Sequence, residues 1–303
     1  MIFNLEHSIN QSVLLSKKNG VELHIKREDL IHPIISGNKF RKLKYNISEA
    51  ETKGFSTLLT FGGAFSNHIA ATAAAGKAFG FKTIGVIRGE ELFDKIDGNP
   101  TLRYAKSCGM QFKFVSREAF RTKTSEAFIE DLEKEFDAFY FVPEGGTNSL
   151  AIKGCEEILT ESDKGFNYIC SSVGTGGTIA GIVNSSKPSQ QVLGFSALKG
   201  DFLIEDISKF AKQDNWKLIS EYHFGGYAKI NKDLVSFINQ FKSKYNIPLD
   251  PVYTGKMLFG IMDMIDKGYF SKGSKILAIH TGGLQGIEGM NTRLKQRKLP
   301  VLK

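Results

Sequence analysis

What this chain has little of narrows its class before any motif is considered. No apolar run approaches the roughly 20 residues a helix needs to cross a bilayer, so no membrane role is expected. The segment Met1–Val13 shows neither the basic leader nor the apolar stretch of a secretory signal, and the expected location is cytoplasmic. Cysteine is scarce: Cys108, Cys155 and Cys170 are odd in number and widely spaced. They offer neither a disulfide framework nor the C-x-x-C spacing of a zinc site, so they are expected to be small core residues in a reducing compartment, with no metal. The net charge is +8, but the lysines are scattered among acids. No basic stripe interleaved with aromatics appears, and no helix-turn-helix, zinc-finger or RNP-type motif, so no nucleic-acid partner is expected. The excess charge reads as a solvated surface that steers anionic ligands. Internal repeats and low-complexity linkers are missing as well.

What is there is the composition of a globular protein, with 41% hydrophobic and 24% charged residues in 303. That length supports one large or two moderate domains. Strand-like runs fall at Val21–Lys26, Thr57–Gly62, Lys82–Arg88, Gln111–Val115, Phe139–Pro143, Asn167–Val173, Gln191–Ser196 and Lys275–Thr281. Helical patterns fall between them, at Lys39–Thr52, Asn67–Phe79, Thr101–Ser107, Ser149–Leu159, Thr178–Ser185, Lys232–Lys244 and Gly255–Lys267. Several strands are continuous apolar runs, as parallel strands covered on both faces require. The alternation predicts an α/β fold, with a hinge at Gly145-Gly146 and the Thr-Asn pair that follows.

Four segments place small, polar and glycine residues at strand-to-helix junctions, where ligands bind in open α/β sheets. The first is Ser36-Gly37-Asn38-Lys39-Phe40-Arg41-Lys42-Leu43. A lysine at a helix start opposes the helix dipole, which favours its neutral, imine-forming amine; the plainer alternative is a solvated first-turn lysine. The second is Phe61-Gly62-Gly63-Ala64-Phe65-Ser66-Asn67-His68. Ser66 reads equally as an N-cap or a ligand contact, Asn67 as a donor to a phenolate oxygen, and His68 as a ligand contact or a packed helix residue. The third, Ser172-Val173-Gly174-Thr175-Gly176-Gly177-Thr178, has the consecutive amides and hydroxyls of a phosphate cradle. It is not the G-x-G-x-x-G fingerprint, because Ile179 stands where the third glycine is needed, and no P-loop is present. The fourth is a late set: Gly225-Gly226-Tyr227, Asp250-Pro251-Val252-Tyr253-Thr254-Gly255-Lys256 and His280-Thr281-Gly282-Gly283.

In this order and with these spacings, the segments resemble the D-cysteine desulfhydrase and 1-aminocyclopropane-1-carboxylate (ACC) deaminase family. That family belongs to the tryptophan-synthase-β-like, fold-type-II pyridoxal-phosphate enzymes. The likeness runs from Lys26-Arg27-Glu28-Asp29-Leu30 to His280-Thr281-Gly282-Gly283. It implies an α/β fold of two open, twisted, mostly parallel sheets flanked by helices. Residues 1–42 plus 151–303 would form a large cofactor-binding domain and 43–150 a smaller inserted one, with the active site in the cleft between them. It implies pyridoxal 5'-phosphate as cofactor, with Lys39 as the Schiff-base lysine. Lys42, Gly174, Thr175, Gly176, Gly177 and Thr178 would hold the phosphate, Asn67 the ring oxygen, and Thr254 and Thr281 further parts of the ring. Ser66, Asn67 and His68 would face the substrate, as would Tyr227 and Tyr253, which match the family's two pocket tyrosines. A small amino-acid substrate and a homodimer are implied too. The sequence departs from the family pattern at Ser36, often glycine, and in Gly226-Tyr227-Ala228-Lys229-Ile230, which lacks the usual glycine-proline pattern.

Two positions separate the subfamilies. ACC deaminases resemble one another in a glutamate at the position of Thr254 and a leucine at that of Thr281; threonine at both, and His68 rather than glutamine, are of the desulfhydrase type. A hydroxyl is a weaker ring partner than a carboxylate and suits β-elimination of a good leaving group. The implied reaction is D-cysteine to pyruvate, hydrogen sulfide and ammonia: the substrate displaces Lys39, the freed amine or another nearby base removes the α-proton, and Tyr227 or Tyr253 is a candidate to assist the leaving group. The alternatives are ACC deamination to 2-oxobutanoate, an enzyme of the same type acting on another amino acid, and a non-catalytic pyridoxal-phosphate- or phosphate-binding protein.

Overall fold

The computed structural model describes residues 4–15, 20–200 and 202–303; residues 1–3 of the N-terminal segment considered above lie outside it. Its strands are β1 (Asn10–Val13), β2 (Glu22–Lys26), β3 (Thr57–Gly63), β4 (Lys82–Arg88), β5 (Gln111–Val115), β6 (Tyr140–Val142), β7 (Tyr168–Val173), β8 (Gln191–Ser196), β9 (Trp216–Ile219) and β10 (Lys275–Ile279). Its helices are α1 (Asn38–Thr52), α2 (Asn67–Phe79), α3 (Pro100–Ser107), α4 (Glu126–Phe136), α5 (Ser149–Glu156), α6 (Gly177–Ser185), α7 (Leu203–Ser208), α8 (Lys232–Tyr245), α9 (Thr254–Asp266) and α10 (Gly286–Gln296).

The strands form two sheets. One runs β1-β2-β10-β7-β8-β9, the other β5-β4-β3-β6. Every pair is parallel except β1 with β2. Every predicted strand and helix is present, with ends shifted by three residues at most. Sequence reasoning missed five elements. The edge strands β1 and β9 are four residues each and carry no continuous apolar run. The helix α4 has one fully buried residue, Leu132, and α7 is six residues long. The helix α10 contains Gly286 and Gly289, which obscure its pattern.

Strand periodicity explains how one chain covers both faces of each sheet. In β10, Ile276 and Ala278 join the core beneath α8 and α9, while Leu277 and Ile279 join the one beneath α6 and α7. In β3, Leu58 packs with α1 and α2, and Leu59 and Phe61 with β4 and α4. Both faces being covered, the central strands are buried almost end to end.

Two buried ion pairs hold the segment that leads into α1. Glu28 takes two guanidinium nitrogens of Arg41, each at 2.9 Å, and Asp29 takes Arg27 at 2.8 and 2.9 Å. Two parallel N–H···O bonds fix direction as well as distance. The turn between them depends on Gly37. Its φ is +57°, and a Cβ there would lie 2.2 Å from the carbonyl oxygen of Thr281. Glycine is required by both the dihedral and the close approach. That contact seats the start of α1 against the segment following β10, some 240 residues later.

Candidate active site

The carboxyl ends of β3, β7 and β10 and the amino ends of α1, α2 and α6 open onto one cavity of about 920 Å³. Its wall includes Lys39, Lys42, Ser66, Asn67, His68, Gly174, Thr175, Gly176, Thr178, Tyr227, Tyr253 and Thr281. Segments scattered over the whole sequence thus meet at one place. Gly177 lies just behind the wall, where a Cβ would come 3.3 Å from Lys42 Nζ.

Lys39 is the second residue of α1, and its amine is held down to about 7. Burial is the main cause; the nearby Lys42 cation adds to it, and Asp250 opposes it. The amine makes no hydrogen bond or ion pair among the described residues. A substantial fraction is therefore neutral near pH 7, the form that attacks a carbonyl carbon or accepts a proton.

Lys42, one turn further on, is 2% exposed. Its ammonium donates to Gly145 O (3.0 Å), Thr147 Oγ1 (2.9 Å) and Thr175 Oγ1 (3.3 Å), and burial lowers it to about 8. It has no carboxylate partner among the described residues. Yet it stands beside the amino end of α6, itself a positive pole. Gly176 (φ +78°) turns the chain there, and Asn38 Nδ2 donates to Thr178 Oγ1 at 2.9 Å. A buried cation and a helix amino terminus with no anion between them leave one partner missing, and a phosphate fits it. Gly145 and Gly146, read as a hinge, supply a carbonyl to this cation and have φ of +67° and +72°.

Around the rest of the wall, Ser66 is the N-cap of α2, accepting from His68 N (3.2 Å) and Ile69 N (3.3 Å), and it also faces the cavity. Asn67 Oδ1 accepts from Gln285 Nε2 at 3.0 Å, which leaves its amide nitrogen to donate elsewhere. Thr60 donates to Val142 O, so the 2.8 Å contact between Thr60 and His68 Nε2 makes the histidine nitrogen the donor. Burial and the two lysine cations keep the His68 imidazole well below its ordinary value, hence neutral. Thr281 and Ser172 pair their hydroxyls at 3.3 Å. The rings of Tyr227 and Tyr253 meet edge to face, centroids 6.3 Å apart. Burial raises both phenols, most strongly Tyr253, where Tyr227 and Asp250 add to it; the Arg88 guanidinium works against the rise at Tyr227.

Thr254 corrects an expectation. It is fully buried and absent from the cavity wall; its hydroxyl donates to Asp250 Oδ2 (2.7 Å) and accepts from Asp250 N (3.0 Å). Asp250 also accepts the amides of Val252, Tyr253 and Thr254 at 2.8–2.9 Å. Thr254 therefore shapes the turn that aims Tyr253, and is not placed to meet a cofactor ring. Sequence reasoning also gave no role to Asp250, Ser172, Gln285 or Arg88, all on the wall. Arg88 ends a strand with no motif around it, and Gln285, although it follows Gly282-Gly283 and precedes Gly286, is a residue type whose direction no local pattern reveals.

A buried lysine lowered to about 7 beside a donor-rich anion cradle, among two mostly parallel sheets flanked by helices, defines a fold-type-II pyridoxal-phosphate enzyme. The pyridoxal-phosphate dependent enzyme family matches residues 8–282, and the chain belongs to that family. A protein of Pyrococcus horikoshii, named provisionally as a 1-aminocyclopropane-1-carboxylate deaminase, is 34% identical over 296 residues, covering 90% of this chain and 87% of its own. The bifunctional D-cysteine desulfhydrase/1-aminocyclopropane-1-carboxylate deaminase of Arabidopsis thaliana mitochondria is 33% identical over 317 residues, covering 94% and 79%. The crystal structure of an ACC deaminase homologue superposes with a TM-score of 0.84 at 29% identity, over 98% of this chain and 95% of that one. A hydrogen sulfide-producing enzyme of Fusobacterium nucleatum shares the fold, with a TM-score of 0.66 at 16% identity over 92% and 96%. The chain is thus a pyridoxal-phosphate-dependent enzyme of the ACC deaminase and desulfhydrase group.

Proposed function

We propose that this enzyme carries out β-elimination on a small amino acid, with D-cysteine and water giving pyruvate, hydrogen sulfide and ammonia. The observation that carries the choice is the late wall of the cavity. It presents the Ser172–Thr281 hydroxyl pair, and the carboxylate of Asp250 on the same wall is already engaged by four donors from residues 252–254. A hydroxyl pair beside a carboxylate that is already engaged suits departure of a thiolate better than opening of an unactivated ring.

Pyridoxal phosphate, when bound, supplies a reactive carbonyl carbon and a ring that takes up the electron pair left at the substrate's α-carbon. Lys42, the amides and hydroxyls of Gly174–Thr178 and the amino end of α6 would hold its phosphate, and Asn67 its ring oxygen. Lys39 would anchor it and, once displaced by the substrate's amino group, take the α-proton. Ser66 and His68 would face the substrate. Tyr227 or Tyr253, each a phenol that keeps its proton well into alkaline pH, would deliver a proton to the departing sulfur. We read the two sheets as two domains, 1–42 plus 151–303 and 43–150, with the site in the cleft. We place the enzyme in the cytoplasm as a homodimer, the first in keeping with three free thiols.

ACC deamination to 2-oxobutanoate is the second reading, favoured by the names most of the relatives carry. Both are tested by giving the loaded enzyme D-cysteine and ACC separately, measuring sulfide with pyruvate and 2-oxobutanoate. Turnover of D-cysteine is expected to exceed that of ACC; the reverse order would transfer the assignment to the deaminase.

A further inference from the structure

The segment that carries Tyr227 is the least regular part of the cavity wall. It joins β9 to α8, and four of five consecutive residues have positive φ: Phe224 (55°), Gly225 (94°), Gly226 (112°) and Ala228 (53°). Two of these are not glycine, so the backbone is held in a conformation it would not keep unaided. Its own bonds are few: Gly226 N donates to His223 O (3.0 Å), Lys229 N to Gly226 O (3.1 Å) and Gly225 N to His223 Nδ1 (2.8 Å). Tyr227 stands in the middle and is 45% exposed.

Two cations tie the loop from outside: Arg293, whose Nη1 donates to Ala228 O at 3.3 Å, and Lys256, in the first turn of α9. Lys256 is 2% exposed, and its ammonium donates to His223 O at 2.9 Å and Gly226 O at 2.8 Å. These are the same two carbonyls that close the loop's own turns, so each accepts twice. No carboxylate pairs with this ammonium among the described residues, and burial lowers it to about 8 against the opposing charge of Asp250. A buried charge satisfied only by two backbone carbonyls is costly, and it acts at the loop's two turning points. Tyr222 and Phe224 dock on the same helix, through Asp263 (2.7 Å) and Phe259 (ring centroids 5.0 Å apart). Tyr253 lies three residues before Lys256. One side chain therefore ties the Tyr253 end of α9 to the residue immediately before Tyr227.

We propose that Lys256 is the positioning residue that sets Tyr227 against Tyr253. It acts through the loop carbonyls of His223 and Gly226 and touches neither substrate nor cofactor. The proposal rests on the reading of Tyr227 as a substrate-facing group.

The test uses the enzyme loaded with pyridoxal phosphate, in wild-type, Lys256→Met, Tyr227→Phe and double-variant forms, with Lys256→Gln as a second substitution should the methionine form fail to fold. Cofactor loading is expected to be unchanged. Amide hydrogen exchange across residues 223–229 should quicken on the order of tenfold, the loss expected of a charged hydrogen bond, while residues 174–178 stay as they were. The kcat for the amino acid turned over should fall similarly in Lys256→Met, with no further fall when that change is added to Tyr227→Phe. Unchanged exchange at 223–229, or losses that multiply in the double variant, would overturn the proposal. A Tyr227→Phe enzyme with full turnover would instead remove the reading of Tyr227, and the exchange measurement would still report whether Lys256 holds the loop.

Discussion

The two sides of the cavity are built on opposite principles. The side formed by Lys39, Lys42 and residues 174–178 uses the ends of parallel strands and the starts of helices. Its donors are backbone amides, two threonine hydroxyls and a buried ammonium fixed by three acceptors. The side formed by Tyr227 and Tyr253 uses irregular turns: one with four positive-φ residues, the other wound around a single carboxylate. On the function proposed above, the regular elements would hold a group that every turnover shares. Irregular ones set two aromatic side chains whose positions rest on a handful of long-range contacts, where small sequence changes re-aim them. The departure from the family pattern at residues 226–230 falls on that second side.

The largest effect that would break this contrast is at Lys39. Lys39→Ala is expected to lower sulfide and pyruvate release by about 10⁴-fold, the upper end for general acid–base catalysis, with protein yield unaffected. Retained turnover would remove the functional meaning of the first side.

A smaller effect is the pH dependence of stability. In the unfolded chain the amine returns to its usual 10.5, against about 7 in the fold. Below about pH 7 it is protonated in both states, and the buried charge weighs fully against folding. Between these values the unfolded chain holds a proton that the fold has released, so stability rises with pH and the penalty is lifted at the alkaline end. Lys42, at about 8, adds to this over the upper part of the range. Urea unfolding of the cofactor-free protein at about pH 6.5 and about pH 9.5 should show Lys39→Met stabilised over wild type mainly at the lower value, by on the order of a few kcal/mol. An equal gain at both would mean that Lys39 is not a charge buried by folding.

The smallest effect sharpens the second side. Thr254→Val leaves the buried Asp250 amide without its acceptor and is expected to cost about 1–3 kcal/mol of stability, leaving the ratio of D-cysteine to ACC turnover unchanged. A shift in that ratio would return Thr254 to the role the subfamily pattern suggests and would weaken the separation of scaffold from wall.

The residues of the first side were legible because their types are tied to local geometry. A glycine-threonine run after an apolar strand puts amides and hydroxyls at a helix start, and Gly-Asn-Lys puts a lysine at one, so their placement reads locally although their role does not. By itself the sequence determined the parallel α/β architecture, through continuous apolar strands alternating with helical patterns. It also marked Lys39, residues 174–178 and both tyrosines as candidates, through their combination and the family resemblance rather than through any one motif, and these residues meet on one cavity wall. Only the tertiary structure decided the rest. Glu28 chooses Arg41, Asn67 chooses Gln285 218 residues away, and Lys256 chooses two carbonyls some 30 residues back. Thr254 turns inward to Asp250 although its neighbour Tyr253 lines the cavity. Hydrogen bonds of this kind depend on where a side chain points after the sheets have packed, and sequence spacing alone carries no record of that direction.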